Sequence, residues 1–407
     1  MPSSAIISIG NELLLGRTLN TNMAWLAAEL ASLGVPAEYS VTVKDESEAI
    51  GEALKHCWER FDVVITTGGL GPTDDDISKR AIADFFGVEL VFDAEVWARV
   101  QAMFAARKMP TPQVNRNQAL VPKGFTALRN ERGTAPGLYF SQGSKRFFAF
   151  AGVPLEMKHV FETAAKPLLV EAYGLRGAIS QKTLHTYGVS ESALAEKLAG
   201  IIIPSGVNLA WLPQTGRVDL RLYGTDAVAI EKTAVDIHPL ITKYVWGEDS
   251  DTPVSVLSEL LRKQGLTLSC AESCTGGLVQ AMLTELAGAS DVLLGGIVAY
   301  ANEVKREVLG VTKETLVKYG AVSEECAGEM ARGIKSLTNS STAISVTGVA
   351  GPEGGSDEKP VGTVCFGFSY LSQTQTRKQI FTGDRASIRY KASEYALLTL
   401  ARIIQGK

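Results

Sequence analysis

The peptide Ala271-Glu272-Ser273-Cys274-Thr275-Gly276-Gly277 joins an apolar, strand-like run, Leu266 to Cys270, to a helical run from Leu278 to Leu286. A hydroxyl and a thiol stand side by side at the junction. Thr275, Gly276 and Gly277 carry little side-chain bulk, so backbone N–H groups at a helix start can meet an oxyanion or a phosphate. The plainer reading of the same residues is a glycine-rich turn with Ser273 as the helix cap. A second stretch runs Gly295-Gly296-Ile297-Val298-Ala299-Tyr300 into Asn302-Glu303-Val304-Lys305. Asn302 suits a helix N-cap, which puts Lys305 in the first turn. A lysine there opposes the helix dipole, so it is either placed for chemistry or a solvated surface charge. Tyr300, at the strand end, lies within reach of the same place. The third stretch, Val346-Thr347-Gly348-Val349-Ala350-Gly351-Pro352, is a strand running into a Gly/Pro loop, as at the edge of a nucleotide pocket. Arg385 and Arg389 follow the last strand and suit either a substrate phosphate or the open surface.

Near the other end, Gly10-Asn11-Glu12 follows a first apolar strand, and Asn20-Thr21-Asn22 caps a helix. Thr66-Thr67-Gly68-Gly69-Leu70-Gly71-Pro72-Thr73-Asp74-Asp75-Asp76 follows a second strand. Glycines such as Gly68, Gly69 and Gly71 let a backbone meet phosphates, and an aspartate run can hold a hard divalent ion. The alternative is a glycine turn with an N-cap aspartate.

The elements that must position these residues follow from apolar periodicity. Ala5 to Ile9, Asn22 to Leu33, Asp62 to Thr67 and Ile77 to Phe86 read strand, helix, strand, helix. That order argues a parallel sheet with helices on both faces, whose ligands bind at the C-terminal strand ends. From about 175 to 248 the pattern becomes a small α+β module: strand 183–187, helix 191–198, strands 209–212 and 218–222, helix 227–242. Gly247 to Pro253 reads as a linker. Beyond it come helix 254–264, strands near 292–300, 342–347 and 361–369, and a closing helix from Ile388 to Ile404.

The 407 residues suffice for two or three domains. With 45% hydrophobic and 21% charged residues, the class is globular. Lys plus Arg is 40 against Asp plus Glu 44, a balance that gives nucleic acid no basic footprint. No long uninterrupted apolar run suggests a membrane span, and the first residues do not read as a signal peptide. Five cysteines, an odd number, suit a reducing compartment, so a cytoplasmic protein is expected. Cys270 and Cys274 have no matching Cys or His pair nearby for a structural zinc.

Taken together, A-E-S-C-T-G-G at 271–277, G-G-I-V-A-Y-A-N-E-V-K at 295–305, G-A-V-S at 320–323 and T-G-V-A-G-P-E-G-G at 347–355 closely resemble the C-terminal domain of the CinA family, a nicotinamide mononucleotide deamidase domain. The resemblance implies Ser273 as nucleophile, with Lys305 and Tyr300 as its activators. Amide hydrolysis needs an activated nucleophile, a base and an oxyanion hole. The four histidines, His56, His159, His185 and His238, all precede this domain, so a histidine triad within it is impossible. A Ser–Lys pair is the substitute if burial lowers the lysine pKa. Cys274 is the competing nucleophile.

The N-terminal residues, with Asn130 to Gly137 and Gly152 to Met157, resemble the molybdopterin-binding fold and the CinA N-terminal domain. That resemblance implies metal-dependent hydrolysis of ADP-ribose at its pyrophosphate, with Glu12, Asp75 and Asp76 suited to a divalent ion. Asn20 stands where the family usually has an aspartate. The middle segment resembles the family's KH-like insert. Gly174-Leu175-Arg176-Gly177 matches a KH G-x-x-G loop only superficially, since it precedes a strand, and no RNA binding is expected. The expected layout is an N-terminal doubly wound α/β domain over 1–172, a KH-like α+β module over 173–248 and an α/β amidase domain over 249–407. The C-terminal domain needs no cofactor, the ligands are small nucleotides, and a homodimer is expected. The rival reading is a pterin- or nucleotide-binding regulatory protein linked to competence.

Overall fold

The computed structural model describes residues 2–73, 76–174, 178–214 and 216–406. The chain divides into two compact units, Met1–Ser180 and Gln181–Lys407.

In the first unit, a sheet runs in the order Ala37–Val43, Ser4–Ile9, Val63–Thr67, Lys145–Phe150, Gly137–Gln142, Thr126–Leu128. Ser4–Ile9 and Val63–Thr67 are buried along their whole length. Their alternate residues feed two cores. Ile6, Val63 and Ile65 pack with Leu26, Leu30, Met157 and Phe161 on one face, while Ile7 and Val64 pack with Ile50, Leu54 and Ile82 on the other. The expected doubly wound arrangement is there, but the sheet is not wholly parallel. The first four strands are parallel, and the last two pair antiparallel. Gln142 and Lys145 are joined by a tight turn at left-handed Gly143, and a turn that short can only reverse the chain.

The second unit begins with the small module. Its sheet order is Val207–Gln214, Arg217–Gly224, Ser180–Thr186, Val245–Glu248, covered by helices Glu191–Leu198 and Ala227–Ile241. The expected linker is largely structured. Gly247 and Glu248 pair with His185 and Leu184, and Asp249 accepts from the Thr183 N–H at 2.8 Å. Thr252 and Ser255 form a capping box on helix Pro253–Gln264. Backbone pairing and capping thus fix a stretch that composition alone marks as loose.

The last sheet runs Leu293–Val298, Leu268–Glu272, Thr342–Gly348, Thr363–Tyr370, Gln373–Ile380. Its first three strands are parallel and the rest antiparallel. Helix Glu324–Thr338 covers one face, and Pro253–Gln264, Leu278–Thr284 and Arg385–Gln405 cover the other. Phe366 is fully buried against Tyr395 of the closing helix, ring centroids 4.7 Å apart. Among the described residues, no helix is long and apolar enough to cross a membrane. Phe366→Ala is expected to lower the stability of this domain by about 3–5 kcal/mol, read as a shift of the urea midpoint, because the cavity it leaves lies between sheet and helix.

Candidate functional site

Three loops leave the C-terminal ends of the three parallel strands of the last sheet: 273–277 from the central Leu268–Glu272, 299–305 from the edge Leu293–Val298, and 349–355 from Thr342–Gly348. Parallel strands put such loops side by side, and here they bring Ser273 and Lys305 together. Lys305 is 1% exposed and Ser273 8%. Lys305 Nζ lies 3.1 Å from Ser273 Oγ, 2.8 Å from the Ala299 carbonyl oxygen and 2.9 Å from that of Tyr300. Burial pushes the Lys305 pKa below its ordinary value, and Cys326, Cys274 and Glu303 restore it only in part. As an ammonium, Nζ donates to all three oxygens. As a neutral amine, its two N–H groups satisfy the carbonyls and its lone pair faces the serine hydroxyl.

Burial, the cause the sequence reading named for lowering the lysine pKa, is the leading one, while the helix differs from the expected one. The helix is only Asn302–Glu307, its N-cap is Ala301, and Asn302 is exposed rather than capping. Desolvation is the largest cause acting on the amine. Tyr300 also departs from the expected relay. The serine–lysine contact is direct, and the Tyr300 hydroxyl accepts from Arg385 Nη2 at 3.2 Å on the exposed rim. Tyr300 reaches the pair through its carbonyl.

The serine turn is held by a residue to which its spacing gave no role. Glu272, fully buried, ends the central strand. Its carboxylate accepts from the N–H groups of Gly277 (2.9 Å), Val279 (3.1 Å) and Gln280 (3.0 Å) and from Gln280 Nε2 (3.2 Å). An anion at the start of helix Leu278–Thr284 satisfies donors that have no partner within the helix. The available signal was a carboxylate inside an otherwise apolar strand end. Gly276 and Gly277 take φ of 61° and 95°, so the turn needs glycine there. Arg389 closes it, donating to the Thr275 carbonyl from Nη2 (2.7 Å) and Nε (3.3 Å). The Thr275 hydroxyl is buried without a partner among the described residues.

Arg385 Nη1 donates to the Gly351 carbonyl at 2.7 Å, so Arg385 ties the second and third loops together. Thr347 and Gly348 serve packing instead. The Thr347 hydroxyl donates to the Ala321 carbonyl at 2.8 Å, and a Cβ at Gly348 would lie 2.7 Å from the Thr363 carbonyl oxygen. Burial lifts the Cys274 thiol to about 12, which disfavours its thiolate.

In the first unit, the loops after Ser4–Ile9, Val63–Thr67 and Lys145–Phe150 line a cleft of about 420 Å³. Glu12, Gly68, Gly69, Gly71 and Asp76 all border it. The glycines act mainly within the protein. Gly68, with φ of 115°, donates to the Phe150 carbonyl, and a Cβ on it would run into the Ile9 carbonyl. A Cβ on Gly69 would strike the Ser78 hydroxyl. Gly71 donates to Asp76 Oδ1 at 2.8 Å. Asp76 Oδ2 accepts from Thr73 N–H (3.0 Å) and Oγ1 (2.5 Å), so this carboxylate holds its own loop. Asp75 lies outside the described residues, as do Leu175, Arg176 and Gly177 of the G-x-x-G match. Among the described residues, no three His, Cys, Asp or Glu side chains gather closely enough for a metal ion, so Glu12 and Asp76 alone do not make up a metal set. Asn20 caps helix Thr21–Ser32, accepting from Met23 N–H at 3.1 Å, while its amide donates to Ser8 Oγ at 2.8 Å.

Comparison with known proteins matches all three segments. The CinA C-terminal domain matches residues 251–404, a probable molybdopterin binding domain matches 5–171, and the KH domain of damage-inducible protein CinA matches 181–247. A putative competence-damage inducible protein of Desulforudis audaxviator is 40% identical over 393 residues, 94% of each chain. A CinA-like protein of Gemmatimonas aurantiaca is 41% identical over 408 residues, 98% of this chain and 95% of that one. Among solved structures, competence damage-inducible protein A from Klebsiella pneumoniae is 41% identical, covering 37% of this chain and 96% of its own, with a TM-score of 0.36.

Two outcomes follow from the site's geometry. Glu272→Ala should cost roughly 3 kcal/mol of stability, since it strips several buried amides of their acceptor. Cys274 should stay unmodified by iodoacetamide near neutral pH in the folded protein and react once it is unfolded. Mass spectrometry of the labelled peptides checks this, and rapid labelling of the native chain would contradict the raised thiol pKa.

Proposed function

Since the chain belongs to the CinA family, we propose that its C-terminal domain is an amidohydrolase that converts nicotinamide mononucleotide to nicotinic acid mononucleotide and ammonia. The observation that carries the reading is the buried contact between Ser273 Oγ and Lys305 Nζ at 3.1 Å.

In this reading the neutral amine takes the serine proton as Oγ attacks the amide carbon. The ammonium so formed returns a proton to the leaving nitrogen, ammonia departs, and an ester to Ser273 remains. Water, deprotonated by the same amine, then cleaves the ester, and the proton goes back to Ser273. Of the turn's amides, Ser273 N–H donates to Val346, Gly276 N–H to Ser273 and Gly277 N–H to Glu272. The reading assigns the remaining ones, Cys274 and Thr275, to the oxyanion. Arg385 and Arg389 keep further N–H donors beyond those bonding Tyr300, Gly351 and Thr275, and they suit the substrate phosphate. Deamidation would return the pyridine ring to cofactor synthesis.

A second reading concerns the first unit, whose cleft of about 420 Å³ is lined by glycine loops and carboxylates and suits ADP-ribose. A divalent ion there would need Asp75 as well as Glu12 and Asp76, the set the family resemblance implies.

Ammonia release from nicotinamide mononucleotide by the purified protein tests the first reading, and its absence would favour a binding or regulatory protein. Ser273→Ala should lower turnover about a thousandfold or more with the fold intact. Lys305→Arg should be as damaging as Lys305→Ala, because arginine keeps its proton. A folded Lys305→Arg variant with most of the wild-type turnover would reduce the lysine to a positive charge. The sign of the pH dependence is fixed. The active form is the neutral amine and burial lowers its pKa, so kcat/KM should fall on acidification, as the amine gains a proton. For the N-terminal reading, Asp75→Ala or Asp76→Ala should remove divalent-dependent cleavage of ADP-ribose while deamidation is unchanged. Unaltered cleavage in both variants would refute it.

A further inference from the structure

The closing helix Arg385–Gln405 meets the loops around Ser273 and Lys305 at its first turns, where Arg385 holds Tyr300 and Gly351 and Arg389 holds Thr275. Any rotation of this helix about its axis would therefore move all three loops of the site. Further along, the helix carries a carboxylate in a place where an apolar side chain would pack more simply. Glu394 is 3% exposed, and its Oε1 accepts from the Tyr390 hydroxyl at 3.1 Å and from Arg217 Nη1 at 3.0 Å. Arg217 comes from the KH-like module, as the first residue of strand Arg217–Gly224.

That guanidinium is held on several sides. Its Nε and Nη2 donate to Gln214 Oε1 at 3.2 and 2.8 Å. Gln214 in turn donates to Asp219 Oδ2 at 2.9 Å, and Asp219, 1% exposed, faces His185 Nδ1 at 3.0 Å. The Arg217 guanidinium also lies 5.3 Å over the Trp246 ring, which stacks on His185. A planar fork fixed this way is a pin from the module's core, not a mobile surface cation. Burying an ion pair rarely improves stability over well-packed apolar residues, so added stability does not account for this pair.

We propose that Arg217 is a positioning residue for the amidase site: by pinning Glu394 it fixes the closing helix, and through Arg385 and Arg389 the serine turn and its phosphate grip. The proposal rests on the amidase reading of Ser273 and Lys305. It gives the KH-like module a task unrelated to RNA, as a brace whose hydrogen-bonded core reaches one helix of its neighbour.

The test uses the full-length protein. Arg217→Met leaves Glu394 a buried carboxylate without its cation. It should raise KM for nicotinamide mononucleotide about tenfold while kcat stays within about twofold, and should speed hydrogen–deuterium exchange across residues 272–280. Arg217→Met combined with Glu394→Gln removes both charges and should return KM and exchange most of the way to wild type, which a loss of packing alone would not do. If Arg217→Met fails to fold, Arg217→Lys, which keeps the charge and loses the fork, should show the same split more weakly. A folded Arg217 variant with unchanged KM and unchanged exchange at 272–280 overturns the proposal. A failure of the amidase reading looks different, because the wild type then releases no ammonia. In that case the exchange rates alone decide, faster exchange in Arg217→Met supporting the brace and unchanged exchange overturning it.

Discussion

A lysine amine taken out of water, with no salt-bridge partner among the described residues, is the constraint around which the C-terminal domain is arranged. Charged, such a group is costly to bury; neutral, it needs only two acceptors and something that donates to its lone pair. The Ala299 and Tyr300 carbonyls supply the acceptors, and both belong to the loop that leads into the lysine's own short helix. Ser273 supplies the third partner from the neighbouring strand. The amine therefore fixes the separation of two strand ends to within a hydrogen bond. Its neighbours Cys274 and Cys326 are buried thiols whose own pKa values are pushed up to about 12 and about 11, so neither brings a formal charge near neutral pH.

Glu272 shows the opposite solution one residue away from the serine. It is as buried as Lys305, but its charge is met by backbone amides and a side-chain amide rather than by a cation. Successive strand residues point to opposite faces, so a carboxylate at 272 turns toward helix Leu278–Thr284 while the hydroxyl at 273 turns toward the lysine. This separation has a chemical consequence. A carboxylate against Lys305 would hold it protonated and remove its basicity. The same carboxylate, turned to the helix, rigidifies the turn that carries Ser273 and leaves the lysine undisturbed.

How much of this was legible in the sequence depends on whether a residue's role is local. The strand–turn–helix around Ser273, the glycines at 276 and 277, and strands such as Ser4–Ile9, Val63–Thr67 and Thr342–Gly348 could be read, because turn chemistry and apolar periodicity are local. Asn20 as a helix cap is of the same kind. Asn302 and Thr347 misled because the type that suits a cap or a pocket is also tolerated at an exposed first turn or committed to a carbonyl across the fold. Tyr300 misled because its contribution is a carbonyl, which any residue has. Strand Val245–Glu248 hid inside a polar stretch because its pairing partner lies about 60 residues earlier, at Leu184 and His185. Glu272 and Arg217 were missed for a related reason. Their partners are an amide row and a residue 177 positions away, and neither leaves a spacing to recognise.

The two glycine-rich loops of the chain make the same point in a sharper form. Gly68-Gly69-Leu70-Gly71 and Thr275-Gly276-Gly277 look alike as peptides, and either could be taken for an anion cradle. In both, glycine N–H groups are committed within the protein, and what separates the loops is the acceptor that takes them. Gly68 N–H goes to Phe150 and Gly71 N–H to Asp76, and the missing Cβ atoms make room for the Ile9 carbonyl and the Ser78 hydroxyl. There the glycines let strands and helix close on one another. In the serine turn, Gly276 N–H goes to the Ser273 carbonyl and Gly277 N–H to the Glu272 carboxylate, so these glycines close the turn onto the strand that leads into it. Glycine content gives the space, and the distribution of acceptors around it decides whether a ligand or the protein itself fills that space.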